Sequence, residues 1–130
     1  MSCCEHMPVK GTPYRHQIEG WRQAVETLQS GRSRGYGLFF EMGCGKSLTA
    51  IGIMGSLGVK RALIVAPSSV CAVWPRELDD YAAYIYEALY PTGGCAKRAQ
   101  KIAEFCRKPS EKLQIVIINY EATWRIEKAL

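Results

Sequence analysis

Two largely apolar runs constrain the fold of this 130-residue chain more than any other feature of its sequence. They are RALIVAP, which begins at Arg61, and LQIVIIN, which begins at Leu113. Runs without polar alternation are typical of parallel strands that are covered on both faces. Parallel neighbours need a crossover connection, usually a helix, and helical patterns separate the two runs. The sequence therefore predicts an α/β fold, a parallel sheet with flanking helices.

The remaining elements follow from weaker patterns. A helix is predicted over HQIEGWRQAVETLQSG, because apolar residues recur there at helical spacing (Ile18, Trp21, Val25, Leu28) and Gly31 ends the pattern. Two further strands are predicted, GYGLFFEM at 35–42 and YIYEALYP at 84–91. Four further helices are predicted: 46–57, ended by Gly58; SSVCAVWPRELDDYA, restarting at Pro75; GCAKRAQKIAEFCRK; and YEATWRIEKAL.

Composition indicates an ordinary cytoplasmic or nucleoid-associated protein. Seventeen basic and twelve acidic residues give a net charge of +5, which permits an anionic partner without requiring one. The six cysteines show no C-x-x-C pair and no zinc-type histidine spacing, so we expect reduced thiols and no metal or disulfide framework. The N-terminus MSCCEHMPVK lacks the apolar core of a signal peptide, and no run approaches a membrane span. We expect no membrane partner.

The stretch LFFEMGCGKSLTA places two glycines, a lysine and a serine between a predicted strand and a predicted helix. A P-loop needs glycines where its backbone N–H groups approach phosphates, a lysine for the outer phosphates and a hydroxyl for Mg²⁺. Gly43, Gly45, Lys46 and Ser47 supply these parts, although Phe40 stands where the strict motif has its first glycine. The alternative is a plain glycine turn. The strand before it and the helix after it favour the phosphate interpretation.

Three further blocks accompany EMGCGKSLTA along the chain: PYRHQIEGW before it, then ALIVAPSSVCAVWPREL, then VIINYEATWR. The block EMGCGKSLTA resembles motif I of the Swi/Snf-type branch of helicase superfamily 2. The other three blocks resemble, in chain order, the Q-motif region, motif Ia and motif Ib of the same branch. They span residues 13–125. The resemblance implies a RecA-like P-loop NTPase fold and a parent protein that is an ATP-dependent DNA helicase or translocase, hydrolysing ATP.

The resemblance also implies roles for residues around the nucleotide. Gln17 would hydrogen-bond the adenine edge, because an amide both donates and accepts, and Tyr14 or His16 would pack on the base. Lys46 would be the catalytic residue that contacts the outer phosphates of ATP, and Ser47 would bind Mg²⁺. The implied nucleotide-binding set is Tyr14, Gln17, Met42, Gly43, Cys44, Gly45, Lys46, Ser47 and Leu48.

Two loops are implied as contacts to double-stranded DNA. Pro67, Ser68 and Ser69 follow one strand, while Asn119 and Tyr120 end another. Open α/β sheets bind ligands at these carboxyl ends, and the family uses such loops to hold one nucleic-acid backbone. Ser69 and Asn119 have the alternative interpretation of helix caps. A basic cluster is interpreted as a solvated helix face, with a DNA surface as the alternative: Lys97, Arg98, Lys101, Arg107 and Lys108.

The D-E-x-H motif of superfamily 2 motors does not occur in these 130 residues. Its carboxylates hold Mg²⁺ and orient the attacking water, so we expect this chain alone to be inactive. We expect residues 1–130 to be the N-terminal part of a helicase ATP-binding (RecA-like) domain, truncated, with self-association possible through an exposed sheet edge. Two alternatives remain: a non-catalytic nucleotide- or nucleic-acid-binding module, and a small P-loop kinase.

Overall fold

The computed structural model describes residues 6–40 and 45–123. In chain order the elements are α1 (Arg15–Gln29), α2 (Lys46–Ser56), β1 (Arg61–Ala66), α3 (Ser68–Cys71), α4 (Trp74–Tyr81), β2 (Tyr86–Leu89), α5 (Cys95–Arg107), β3 (Leu113–Asn119) and α6 (Tyr120–Thr123). They divide into two compact units, a helical unit of Met1–Val59 with Glu77–Tyr84, and a sheet unit of Lys60–Arg76 with Ile85–Leu130.

The helical unit is built on the contact between α1 and α2. The side chain of Trp21 is fully buried, and its Nε1 donates a hydrogen bond of 2.8 Å to Ser56 Oγ at the end of α2. Both helices end as predicted, because Gly31 and Gly58 follow them with φ values of +75° and +69° that favour glycine. The predicted helices at both positions are confirmed.

The strand predicted over GYGLFFEM is wrong for the part that the structure describes. Residues 35–40 adopt no regular secondary structure, and the side chain of Phe39 is 95% exposed. Alternate side chains of this segment instead contact α1: Tyr36 donates a hydrogen bond of 2.8 Å to Gln23, and the Phe40 ring lies against Gly20. These side chains are therefore covered by α1, and the backbone of residues 35–40 pairs with no strand among the described residues.

The sheet unit contains three parallel strands in the order β1-β3-β2. This confirms the predicted parallel sheet, including the short strand within YIYEALYP. The central strand β3 is buried from Leu113 to Ile118, as its apolar run predicts. In β1, however, Leu63 is 46% exposed and Val65 is also exposed. The expectation that both apolar runs are covered on both faces is therefore wrong for β1, which lies at the edge of the described sheet.

One face of the sheet is covered by α5 and α6. A buried cluster joins Ile102 of α5 to Val116 and Ile118 of β3 and to Ala122 of α6. The amphipathic pattern of GCAKRAQKIAEFCRK is thus confirmed as a helix that packs on the sheet. The helical segment after β1 is interrupted before Trp74, where α4 starts, in agreement with the predicted restart near Pro75. Within the described residues, no helix has both the length and the apolar content that crossing a membrane requires.

Candidate nucleotide site and nucleic-acid interface

The glycine turn places a bare helix N-terminus at the start of α2. Gly45 precedes α2 in the left-handed conformation, with φ +77° and ψ 44°, and no described side chain caps the helix. Its first turn contains no acidic residue. The first N–H groups of a helix have no intrahelical partner and carry partial positive charge, which favours an anion. This end of α2 can therefore accept a phosphate.

Lys46 and Ser47 stand at this helix end with the chemistry that a magnesium–triphosphate group requires. The Lys46 side chain is exposed and forms no hydrogen bond or ion pair with any described residue, while Ser47 and Leu48 are half-buried. Ser47 provides one oxygen ligand, and Mg²⁺ in nucleotide sites takes most of its other ligands from phosphates and water. These residues fit the group. The remaining members of the predicted set, Met42, Gly43 and Cys44, lie outside the described residues.

Gln17 is brought against the glycine turn although it lies 28 residues away in sequence. Its side chain is 4% exposed, its Oε1 accepts a hydrogen bond of 2.7 Å from the Tyr14 backbone N–H, and its Nε2 donates one of 3.4 Å to the Gly45 carbonyl. A Cβ atom at residue 45 would overlap Gln17 Nε2. The structure thus joins the predicted adenine-reading residue to the predicted phosphate-binding turn.

A row of aromatic rings begins beside Gln17. The Tyr14 side chain is 71% exposed, and its ring stacks on His16 with centroids 5.9 Å apart. The His16 ring in turn meets Phe40 edge-on at 5.2 Å. Tyr14 therefore presents a free ring face on which a base could stack. The Gln17 amide already uses one donor and its acceptor within the protein, so its hydrogen bonds to adenine remain a prediction.

Phe40 is the residue of this region whose role the sequence did not indicate. In the sequence it is only the departure from the strict P-loop pattern. In the structure its ring supports His16 and closes over Gly20 of α1. No local signal identifies such a contact, because it depends on the path of residues 35–40 along α1.

The two loops predicted to contact nucleic acid meet at the carboxyl ends of β1 and β3. Ala66 and Asn119 are register partners, and Asn119 Nδ2 donates a hydrogen bond of 3.0 Å to Ser68 Oγ. Pro67, Ser69 and Tyr120 are exposed around this contact. Asn119 Oδ1 also accepts a hydrogen bond of 2.9 Å from the Ala122 N–H, so Asn119 caps α6, as its alternative interpretation predicts.

A cation that the predicted interface omits lies at the same edge of the sheet. Arg98 and Asn119 share a small cavity of about 220 Å³, which is completed by the loop before α5 and by the start of α6. The Arg98 Nε donates a hydrogen bond of 2.7 Å to the Gly93 carbonyl, which orients the guanidinium. The helical pattern of α5 predicts a solvated face but does not show that the Arg98 end of the helix reaches Asn119.

The described residues include three free cysteines, of which one is buried beside β1. Cys71 is fully buried, its Sγ lies 3.4 Å from the Ala66 carbonyl oxygen, and burial raises the pKa of its thiol. Cys95 and Cys106 are also free thiols. Within residues 6–40 and 45–123, no three His, Cys, Asp or Glu side chains lie together in a way that could hold a metal ion. Cys71 therefore serves packing.

Comparison of the chain with protein-family models and with curated proteins found no match to either. Family membership is therefore not shown by these comparisons.

Proposed function

We propose that this chain is the ATP-binding portion of an ATP-dependent DNA helicase or translocase of Swi/Snf type. On this proposal residues 1–130 are the N-terminal part of a RecA-like lobe, with ATP and Mg²⁺ at the glycine turn and double-stranded DNA at the carboxyl edge of the sheet. The parallel sheet with flanking helices is compatible with that fold.

The observation that carries the proposal is the contact between Gln17 and Gly45. A nucleotide site needs such a contact, because it must read the base and hold the phosphates from one protein surface. Tyr14 lies beside Gln17 with an exposed ring, and Lys46 follows Gly45 and forms no ion pair with any residue that the structure describes. The phosphate-binding, base-binding and base-reading groups thus belong to one local arrangement.

Each residue has a defined task at this site. The N–H groups at the start of α2 and the Lys46 ammonium group stabilise the negative charge of the phosphates. The Ser47 hydroxyl would provide one oxygen ligand to Mg²⁺, and the metal would supply further neutralisation of the phosphate charge. Gln17 and Tyr14 orient the base. The chain has no D-E-x-H carboxylate to orient a water molecule, so these residues bind the nucleotide without hydrolysing it.

The DNA contact is supported by the Ser68–Asn119 hydrogen bond. It joins the loops after β1 and β3, which contribute hydroxyl and amide groups without base-reading arrangements. Such groups hold phosphates and sugars, and contacts to the backbone carry no sequence information. A motor that steps along any sequence needs this property.

The nucleotide proposal is tested by Lys46→Ala. We expect the affinity for ATP with Mg²⁺, measured by calorimetry, to fall about tenfold or more, because a charge-assisted contact to phosphate is lost. The melting temperature should be unchanged, since Lys46 is exposed and unpaired in the described structure. Lys97→Ala removes a lysine of α5 that is also exposed and serves as the control. Equal affinity of the Lys46→Ala and wild-type proteins would refute the site.

A phosphate-release assay with and without duplex DNA separates the proposal from the kinase alternative. We expect no sustained release from this chain, with or without DNA. Sustained release that Lys46→Ala abolishes would show that a catalytic carboxylate comes from an unexpected position. Transfer of phosphate to an acceptor would favour the small P-loop kinase.

Self-association is proposed through the open side of β1. This strand pairs only with β3 in the described sheet, and its residues Leu63 and Val65 are exposed. An unpaired apolar edge is a template for another strand. Light scattering at increasing concentration should show association, and Val65→Lys should reduce it because a charged residue on an edge strand opposes pairing. A monomer at all concentrations would exclude this contact.

A further inference from the structure

A second polar cavity lies within the sheet unit, at the amino ends of β1 and β3 and beside the end of α5. It is an open depression of about 550 Å³. This volume is within the range of about 300–1,000 Å³ that is usual for small-molecule sites. The lining residues are Lys60, Arg61, Cys106, Arg107, Lys108, Pro109, Ser110 and Gln114.

The base of this cavity is a fixed polar network. Gln114 is 4% exposed, and its Nε2 donates hydrogen bonds to the carbonyls of Phe105 at 2.9 Å and Lys108 at 3.3 Å. Its Oε1 accepts a hydrogen bond of 3.3 Å from Arg61 Nε, and Arg61 also donates to the Cys106 carbonyl. A buried amide thus holds both the end of α5 and the Arg61 guanidinium. The depression is therefore a preformed surface.

The rim of the cavity carries more positive charge than this network uses. The side chains of Lys60, Arg107 and Lys108 are exposed, and none forms a hydrogen bond or ion pair within the described part of the chain. No Asp or Glu is among the lining residues. The C-terminal end of a helix carries a partial charge of only about −0.5, and Arg61 already donates to a carbonyl there. The positive charge of these three further side chains exceeds the partial negative charge at the end of α5.

We propose that this basic cavity binds a small, multiply charged phosphate compound, such as a free oligophosphate or the phosphate chain of a nucleotide. Four cations around one depression match several closely spaced negative oxygens, which a single carboxylate does not provide. The concave shape and its size favour a small ligand over a long nucleic-acid backbone, which tracks grooves and stripes. The inference is independent of the glycine turn, because no residue of the turn lines the cavity.

The test is calorimetric titration of inorganic tripolyphosphate without added metal. All proteins carry Lys46→Ala, so that any binding that remains at the glycine turn is weakened and is the same in every protein compared. The cavity variant adds Lys60→Ala and Lys108→Ala, which change exposed side chains and leave Arg61 and Gln114 in place. The matched control adds Arg34→Ala and Lys97→Ala, which remove the same charge from exposed positions outside the cavity. Melting temperatures establish that all three proteins are folded.

We expect tripolyphosphate to bind the Lys46→Ala protein, the cavity variant to lose about tenfold or more in affinity, and the control to lose less than about twofold. Equal losses in the two variants would overturn the proposal, because the effect would then come from net charge alone. Absence of tripolyphosphate binding to the Lys46→Ala protein would also overturn it. A DNA duplex that binds through Lys60 and Lys108 and is not displaced by tripolyphosphate would replace it with a nucleic-acid surface.

Discussion

The glycine turn and the basic cavity are two solutions to the same task of holding negative charge. The turn uses backbone N–H groups at the start of α2 with one cation, Lys46. The basic cavity uses the side chains of cations from the start of β1 and from the end of α5, with a buried amide, Gln114, beneath them. A site made of backbone depends on one conformation of a short segment. A site made of side chains depends on how distant segments pack. Substitutions and added salt should therefore weaken anion binding at the two sites to different extents.

The largest effect is expected from Gly45→Ala, compared with Gly58→Ala at the other end of α2. Both glycines have positive φ, so each alanine should cost about 1–2 kcal/mol of unfolding free energy. Only at residue 45 does the new Cβ also displace Gln17, whereas nothing lies within 4 Å at residue 58. We expect Gly45→Ala to lower the free energy of unfolding by at least about 1 kcal/mol more than Gly58→Ala does, as measured by denaturation. We also expect Gly45→Ala to abolish ATP binding, as measured by calorimetry.

A double substitution checks the cause of that difference. In a Gln17→Ala protein the overlap is absent, so Gly45→Ala should cost no more than Gly58→Ala does in the wild-type protein. A full extra cost that persists without the Gln17 side chain would show that the contact between the two residues is not responsible.

A smaller effect separates the two sites by their response to salt. The cations of the basic cavity are exposed, so added salt should screen them strongly. The N–H groups of α2 act at hydrogen-bond distance and should be less sensitive. We expect tripolyphosphate affinity of the Lys46→Ala protein to fall about tenfold from low to high salt. ATP affinity of the Lys60→Ala/Lys108→Ala protein should fall only about twofold. Identical salt slopes would remove the distinction between backbone and side-chain sites.

Alkaline pH should weaken the helical unit through Tyr84. Its hydroxyl donates a hydrogen bond of 2.9 Å to the Ile51 carbonyl of α2, and burial raises its pKa from 10.0 to about 12. The folded state therefore keeps this proton at a pH where the unfolded state loses it. The stabilisation is complete below pH 10 and is lost as pH rises through about 12.

Thermal melting at increasing pH measures this contribution. Tyr84→Phe should lower the melting temperature at neutral pH, because the hydrogen bond is lost, and should show a smaller further decrease above pH 10 than the wild-type protein. Parallel decreases in the two proteins would exclude Tyr84 as the cause.

The smallest effect concerns DNA at the carboxyl edge of the sheet. Arg98 shares a cavity with Asn119, so Arg98→Ala should weaken binding of duplex DNA by about two- to threefold and reduce the salt slope by about one charge. Arg34→Ala, an exposed arginine of the helical unit, is the control. Different DNA sequences should bind equally. Sequence-selective binding that is insensitive to salt would favour a separate nucleic-acid-binding module.

Most of the local structure was predictable because each element has its own pattern. The helical spacing from Ile18 to Leu28 predicts α1, and the apolar run from Leu113 predicts β3. Gln17 and Lys46 were selected from sequence blocks, and the structure brings Gln17 to the turn that precedes Lys46. The strand predicted over 35–40 is wrong because a short apolar run indicates that side chains are covered but not whether the covering element is a strand or a helix.

The sequence by itself determined the helices, the parallel strands and the composition of the glycine turn, since backbone propensity, hydrophobic periodicity and glycine stereochemistry act over a few neighbouring residues. Tertiary structure alone decided which distant side chains share a surface. It placed Gln17 on Gly45, Arg98 beside Asn119, and Lys60 in one cavity with Lys108. The reason is that packing a sheet against its helices depends on the combined shape of many side chains, and no single stretch of sequence carries that information.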